Sequence, residues 1–269
     1  MPHTGQGPRE RRPWGSGTNL RRRTMKAEAS TYFRHGEYRI DHLTHISRRH
    51  RVVYLEVPKT GCTVIKRVLQ HSESGGTQPS PGVSVHQRDA SPLGAPLRDG
   101  FDLDELFGEH SPWLTFAFVR NPYSRLLSCY LDKIGPPHRR SYRDVKVHNL
   151  GLAPDDKVSF REFLERVSEQ PKRKMDIHWS PQTRLTGWGK ISLDFIGRFE
   201  SFEADLRRLM TVSGVTAPDE LLTRRAGHAT DAHRRLDEYY SDDRCATLVR
   251  EIYARDFDAF GYGRDVRFA

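Results

Sequence analysis

The chain has 269 residues, of which 36% are hydrophobic and 29% are charged, and its formal net charge is +9. A chain of this length can bury a sizeable core, so we expect one globular α/β domain of about 200–250 residues. No apolar run approaches the roughly 18–20 residues that cross a bilayer, and the N-terminus shows no signal-peptide core, which argues against a membrane or secreted protein.

The cysteines and the N-terminal charge restrict the class of protein further. Cys62, Cys129 and Cys245 lie far apart, which predicts neither a disulfide framework nor a zinc site and fits a reducing, cytoplasmic compartment. Residues 1–30 hold seven basic and two acidic side chains and so supply +5 of the net charge. They are predicted to form a disordered tail before a folded domain over 48–265. We expect no nucleic-acid partner, because no binding motif accompanies the basic residues.

The first predicted elements are a strand, a short loop and a helix. The run RVVYLEV (51–57) is typical of a buried parallel strand. After the loop PKTGCT (58–63), apolar residues recur at helical spacing over 64–69. This order predicts a phosphate site, since a helix N-terminus offers free backbone N–H groups. The loop is not the usual nucleotide loop G-x-x-x-x-G-K-[ST], because Lys59 precedes Gly61 and the second glycine is missing.

Strands and helices alternate along the rest of the chain. Residues 71–100 contain five Gly and four Pro, too many for a long regular element. The patterns predict strands over 113–119 and 193–200, and helices over 101–107, from Asn121-Pro122 to Gly135, and over 159–170, 201–214 and 242–257. This alternation predicts a single α/β domain with a central parallel sheet and helices on both faces.

Arg120 and Ser128 follow the second of these strands. Arg120 stands where the strand ends, and Ser128 lies about two turns into the next helix. Ligands of parallel sheets bind at the carboxyl edge, and a planar guanidinium suits a phosphate. On these residues alone, an Arg120–carboxylate pair beside an idle Ser128 hydroxyl explains the pattern as well as a phosphate site does.

Two segments, VPKTGCT and FVRNPYSRLLSCYLDK, together resemble the cofactor signatures of sulfotransferases that use 3′-phosphoadenosine 5′-phosphosulfate (PAPS). The resemblance is narrower to the carbohydrate sulfotransferases that include the chondroitin 4-, dermatan 4- and HNK-1 enzymes. It continues in the same order through DIHWSPQTRL (176–185), LDFIGRFESFEADL (193–206) and IYARDFDAFGY (252–262).

The resemblance implies a P-loop-like sulfotransferase fold and transfer of a sulfuryl group from PAPS to a hydroxyl of a glycan or glycoside. It assigns the 3′-phosphate to Arg120 and Ser128. It assigns the 5′-phosphosulfate to the loop residues Pro58, Lys59, Thr60, Gly61, Cys62 and Thr63. No acidic cluster accompanies the loop, so we expect no metal ion. A non-catalytic anion- or glycan-binding module on the same fold is an alternative, and a nucleotide-dependent kinase is another.

The sequence departs from this family in three respects. Asn121 stands where the animal enzymes commonly have Asp, although both residues cap a helix. The membrane anchor and luminal cysteines of those enzymes have no counterpart here, which implies a soluble, bacterial-type member. The segment 71–100 matches the family poorly, so the resemblance identifies neither the acceptor nor the sulfated position.

The sequence and the resemblance together predict the groups that take part in catalysis. Sulfuryl transfer is an in-line displacement that depends on positioning and charge stabilisation, and Lys59 can reach the bridging oxygen on which charge develops. A histidine is the natural base near neutral pH. We predict His86 for this role, because it lies in the segment before the second signature, near where the related enzymes keep a His or Glu base. His178 is its rival, and Glu109 is a further alternative. Cys62 is predicted to be a small buried residue rather than a nucleophile.

Overall fold

The computed structural model describes residues 29–34, 36–77, 83–135, 149–153, 156–222 and 230–268. The predicted tail lies outside these ranges except for its last two residues. The strands are β1 (Thr44–Ser47), β2 (Val52–Leu55), β3 (Leu114–Val119) and β4 (Phe195–Arg198). The helices are α1 (Glu37–Leu43), α2 (Cys62–Glu73), α3 (Leu103–Phe107), α4 (Pro122–Lys133), α5 (Phe160–Glu169), α6 (Gln182–Leu185), α7 (Phe202–Ser213), α8 (Asp219–Leu222), α9 (Leu236–Tyr239), α10 (Asp243–Ile252) and α11 (Ala254–Phe260).

The four strands form one open sheet in the order β1-β2-β3-β4. β2, β3 and β4 are parallel, whereas β1 pairs with β2 in the antiparallel sense. The predicted parallel sheet is thus confirmed for β2, β3 and β4. β1 has only four residues and was not predicted; it lies before residue 48, where the predicted domain begins.

Helices cover both faces of the sheet, as predicted. Val52 and Tyr54 of β2 belong to a core cluster that includes apolar residues of α2 and α7. Val53 and Leu55, which alternate with them, belong to a second cluster that includes residues of α1 and α3. Successive side chains of a strand point to opposite faces, so the two clusters lie on opposite sides of the sheet. None of the helices in the described ranges is long and apolar enough to cross a membrane.

The remaining large cluster surrounds α4 and is mainly helical. It joins residues of α4 to residues of α5 and α10, with Trp179 fully buried among them. α4 begins as predicted: Pro122 is its first residue, and the Asn121 side chain accepts a hydrogen bond from the Tyr123 N–H at 3.0 Å. The predicted last helix, 242–257, is instead two helices. They meet at Tyr253, whose hydroxyl donates to the Trp179 carbonyl at 2.6 Å.

The sheet brings the two predicted phosphate-binding segments to one edge. β2 and β3 are parallel neighbours, so the loop after β2 and Arg120 after β3 both lie at the carboxyl edge. Gly61 in this loop has φ +88°, and a Cβ atom there would lie 2.4 Å from the Phe202 ring of α7. Glycine at this position therefore lets the loop pack directly against α7.

Candidate active site

The loop between β2 and α2 has the geometry of an anion cradle. Lys59 adopts φ +74°, which is uncommon for a residue with a side chain. The Thr60 hydroxyl donates to the Val57 carbonyl at 2.7 Å and so closes the turn internally. α2 starts at Cys62, and the first N–H groups of a helix have no acceptor within it. These N–H groups, with the positive end of the helix dipole, suit a phosphate.

Arg120 contacts this loop directly. One terminal nitrogen of its guanidinium donates to the Lys59 carbonyl at 3.2 Å, and Nε donates to the Ser124 hydroxyl at 3.0 Å. The guanidinium also lies 4.0 Å from the centre of the Phe199 ring. Ser128 is buried on α4, the helix that also carries Ser124, and its Oγ lies 2.9 Å from Thr230 Oγ1. The structure thus joins Arg120 to the loop and leaves Ser128 two turns further along α4.

The Lys59 side chain points toward α4. Its Nζ donates to Asp132 Oδ2 at 2.9 Å, and Lys133 Nζ lies 3.2 Å from the same oxygen. Burial raises the pKa of Asp132, but the charges and hydrogen bonds of the two lysines outweigh burial and hold it below its ordinary value. Sequence reasoning missed Asp132, although it stands in the segment FVRNPYSRLLSCYLDK.

Arg125 connects the loop to a second segment of the site. Its buried guanidinium donates to the carbonyls of Pro58 at 3.1 Å, Ser180 at 2.9 Å and Ile177 at 3.3 Å. It therefore ties the loop to residues 176–180. Sequence reasoning missed Arg125 as well, and its only signal was a charged residue among the apolar positions of α4.

His86 lies beside the loop, on the segment before β3. Its Nε2 is 3.1 Å from the Thr63 hydroxyl, and its Nδ1 is 2.7 Å from Lys66 Nζ. Lys66 in turn donates to both carboxylate oxygens of Glu56 at 2.9 Å. Burial, followed by the nearby Lys66 charge, lowers the pKa of His86 to about 4. His86 is thus close to the predicted phosphosulfate site, and its role as the base stays a prediction.

A buried polar network extends from Glu56 to His45 and Arg88. His45 Nε2 donates to Glu56 Oε2 at 2.6 Å, and His45 Nδ1 accepts from Arg88 at 3.1 Å. Arg88 also donates to the carbonyls of Thr44 and Gly94. Burial alone raises the pKa of Glu56, but Lys66 and His45 together keep it well below its ordinary value. The network fixes the segment that carries His86 against β1 and β2.

The buried His45 makes folding stability depend on pH. Burial lowers its pKa from 6.5 to about 4, so the unfolded chain binds a proton at a higher pH than the folded protein does. The contribution of His45 to the free energy of unfolding is therefore expected to fall as pH drops from 6.5 toward 4, by up to about 1.4 kcal/mol per pH unit, and His86 adds a contribution of the same sign. Urea unfolding between pH 7 and 4.5 measures this slope, and constant stability over that window would contradict the assignment.

His178 and Glu109 occupy different surroundings. His178 Nδ1 lies 2.6 Å from Asp176 Oδ1, and Asn149 donates to the other Asp176 oxygen at 3.1 Å. Ile177, between Asp176 and His178 in the chain, packs against a small apolar cluster that contains Val57, the residue just before the loop. Glu109 is exposed and precedes β3, so it lies at the amino edge of the sheet, away from the loop.

Cys62 is the first residue of α2 and is partly buried. Burial raises the pKa of its thiol to about 12, so the thiol is protonated at neutral pH and is a poor nucleophile. Within the described ranges, no three His, Cys, Asp or Glu side chains are grouped so that they could hold a metal ion.

Comparison with known proteins identifies the family. A model of the sulfotransferase family matches residues 42–263. The chain is 29% identical to carbohydrate sulfotransferase 8 of Mus musculus over 91% of this chain and 63% of that protein. It is 28% identical to human carbohydrate sulfotransferase 9 over 91% of this chain and 60% of that protein. For human carbohydrate sulfotransferase 14 the identity is 29%, over 81% and 59%.

The chain spans less than two thirds of the length of these relatives, and no solved structure matches it. The family match covers all four strands, together with the loop, Arg120, Ser128, His86 and His178. The chain therefore belongs to the sulfotransferase family.

Proposed function

We propose that this protein transfers a sulfuryl group from PAPS to a hydroxyl of a carbohydrate. The observation that carries the proposal is the hydrogen bond from Arg120 to the Lys59 carbonyl. It links the two segments that the sequence assigns to the 5′-phosphosulfate and the 3′-phosphate. The names of the relatives, all carbohydrate sulfotransferases, support a carbohydrate as the acceptor.

The roles of the binding residues follow from this arrangement. The backbone N–H groups of Thr60 to Thr63 cradle the 5′-phosphate at the start of α2. Arg120, with Ser128 further along α4, binds the 3′-phosphate. Arg120 is 3% exposed, and a charged hydrogen bond is stronger where water is excluded.

The transfer itself is an in-line displacement at sulfur. Lys59 exchanges Asp132 for the bridging oxygen of PAPS and stabilises the charge that develops there as the adenosine bisphosphate leaves. The acceptor hydroxyl gives its proton to a histidine beside the loop. His86 is favoured for this role by the sequence, and His178 is the rival.

Ligand-dependent stability and radiolabel transfer test this proposal. Adenosine 3′,5′-bisphosphate is expected to raise the melting temperature of the full chain more than ATP with Mg²⁺ does, since a ligand of the native state stabilises it. Stabilisation by ATP alone would favour the kinase alternative. With ³⁵S-labelled PAPS, at least one acceptor in a panel of desulfated chondroitin, desulfated dermatan and neutral glycosides is expected to become labelled. Bisphosphate binding without any labelled acceptor would favour the binding module.

Arg120→Ala and Ser128→Ala are expected to weaken PAPS binding unequally. A hydrogen bond to a charged group contributes about 1.5–3 kcal/mol, and Arg120 adds a second bond and a full charge. Calorimetric titration with adenosine 3′,5′-bisphosphate and with adenosine 5′-phosphate measures the contribution of the 3′-phosphate. If both variants distinguish these ligands as well as the unaltered protein does, the 3′-phosphate binds elsewhere. Ser168→Ala, on α5, is the matched control for removal of a serine hydroxyl.

A further inference from the structure

His86, beside the loop, and His178, which follows Ile177, have hydrogen-bond partners of opposite charge. His86 Nδ1 faces the Lys66 ammonium at 2.7 Å. His178 Nδ1 faces the Asp176 carboxylate at 2.6 Å. A neutral imidazole has one N–H donor and one acceptor nitrogen, and the partner of one nitrogen decides the state of the other. The two rings are therefore held in opposite tautomers.

The Lys66 ammonium determines the tautomer of His86. An ammonium only donates hydrogen bonds, so His86 Nδ1 accepts and carries no proton. Both oxygens of buried Glu56 accept hydrogen bonds from Lys66 at 2.9 Å and so fix its position. The proton of neutral His86 is then on Nε2, which donates to the Thr63 hydroxyl at 3.1 Å. In this state His86 has no free lone pair with which to accept a proton.

The Asp176 carboxylate determines the opposite tautomer of His178. A carboxylate only accepts hydrogen bonds, so His178 Nδ1 carries the proton and Nε2 carries the lone pair. Asp176 is itself fixed by the His178 backbone N–H at 2.9 Å and by the Asn149 side chain at 3.1 Å. Burial raises the pKa of Asp176, but the hydrogen bonds that it accepts from the side chain and backbone of His178 help to outweigh burial, and the pKa is lowered. Among the described residues, none hydrogen-bonds His178 Nε2, and the side chain is 24% exposed.

His178 belongs to the same site as the loop. Arg125 hydrogen-bonds both the Pro58 carbonyl and the Ile177 carbonyl, which joins the residue before Lys59 to the residue before His178. The charges of Lys59 and Asp176 both act on the buried Cys129 thiol. Arg125 thus connects the segment that carries Asp176 and His178 to the segment that carries Lys59.

We propose that His178 is the general base, that Asp176 is its positioning residue, and that His86 is a neutral hydrogen-bond donor to the phosphate loop. The assignment rests on the proposed sulfuryl transfer. In that step the acceptor O–H proton moves to His178 Nε2 while the acceptor oxygen forms its bond to sulfur. The bond from sulfur to the bridging oxygen breaks, and the adenosine bisphosphate leaves with the electron pair. Asp176 stabilises the imidazolium that forms.

Several other charged groups face these two rings. His42 and Lys133 act on His86 together with Lys66 and Glu56. His42 also faces His178, and Arg39 acts on Asp176. Among the charged groups of the described residues, Lys66 and Asp176 are the ones that contact these ring nitrogens directly. They therefore decide which nitrogen is protonated, and the more distant charges affect only the ease of protonation.

Nuclear magnetic resonance of ¹⁵N-histidine-labelled full chain tests the tautomers without any acceptor. His86→Gln and His178→Gln assign the two rings by loss of their signals. At neutral pH the His86 ring is expected with its proton on Nε2, and the His178 ring with its proton on Nδ1. A His86 ring with its proton on Nδ1, or a His178 ring with its proton on Nε2, would overturn the proposal even if sulfuryl transfer is confirmed.

Steady-state kinetics, with an acceptor that becomes labelled from ³⁵S-PAPS, test the catalytic roles of His178, Asp176 and His86. His178→Gln is expected to lower kcat by about 10²–10⁴ and to remove the acid limb of the pH profile, while affinity for the bisphosphate is unchanged. Asp176→Asn is expected to lower kcat by at least about tenfold through the wrong tautomer of His178. His86→Gln is expected to raise KM for PAPS and keep the acid limb. Exposed His110→Gln is the matched control.

The reverse pattern would overturn the proposal. If His86→Gln removes the acid limb and His178→Gln keeps more than about a tenth of kcat, His86 is the base. Absence of transfer by the unaltered protein would instead count against the proposed function. In that case the magnetic resonance measurement still shows whether His86 and His178 are in opposite tautomers.

Discussion

Replacing Lys59 by alanine is expected to lower kcat by about 10²–10³, the usual cost of removing one group that stabilises transition-state charge. Affinity for adenosine 3′,5′-bisphosphate is expected to change much less. In the proposed mechanism, Lys59 contacts the bridging oxygen, where charge develops only during transfer, whereas backbone N–H groups and Arg120 bind the phosphates in both states.

The structure shows how the lysine is held before the co-substrate binds. Its Nζ is paired with Asp132 at 2.9 Å, and the Lys59 side chain is 14% exposed. Asp132 has Lys133 as a second partner at 3.2 Å, so the proposed movement of Lys59 to the bridging oxygen would not leave Asp132 unpaired. Lys59 also has a positive φ of 74°, a conformation that costs energy in a residue with a side chain.

Steady-state kinetics and calorimetry on the same preparation separate turnover from binding. Lys157→Ala, at an exposed lysine away from the loop, is the matched control and is expected to match the unaltered protein. An unchanged kcat with a raised KM in Lys59→Ala would assign Lys59 to binding alone. Such a result would leave the sulfotransferase assignment intact and move charge stabilisation to another group.

The fold was largely predictable because its inner strands have clear local patterns. β2 and β3 are short apolar runs followed by strong helix starts at Gly61 and Asn121. β1 was missed because it has only four residues, Thr44–Ser47, too few to show an alternation of apolar and polar side chains. The break at Tyr253 was missed for a different reason. It depends on a hydrogen bond to Trp179, 74 residues away, which no local pattern contains.

The sequence named Lys59, Arg120 and His86 as site residues but missed the residues that hold them. Lys59 and Arg120 stand in the two motifs and His86 stands between them, and the structure groups all three around the loop. Asp132 and Asp176, which hold Lys59 and His178, were missed. Lys59 and Asp132 are 73 residues apart, so the pairing exists only once β2 and β3 lie side by side.

Arg125→Met is expected to lower the free energy of unfolding by about 3 kcal/mol, because three buried carbonyls lose their donor while the cavity stays filled. The replaced bonds run to Pro58, Ser180 and Ile177. Burial lowers the pKa of Arg125, which shows that its charge is costly to bury, and the loss of that cost offsets part of the effect. Urea unfolding monitored by circular dichroism measures the difference.

The same substitution is expected to weaken ligand binding at the site, because Arg125 directly links the loop to the residues around His178. The rise in melting temperature that adenosine 3′,5′-bisphosphate produces is expected to be smaller in Arg125→Met than in the unaltered protein. Arg125→Lys keeps the charge but lacks the planar fork, so it cannot serve three carbonyls at once and is expected to restore little. Arg161→Met, at an exposed helix position, is the control and is expected to leave stability unchanged. A loss below about 1 kcal/mol in Arg125→Met, with the full bisphosphate effect retained, would mean that the loop and residues 176–180 are held together by packing instead.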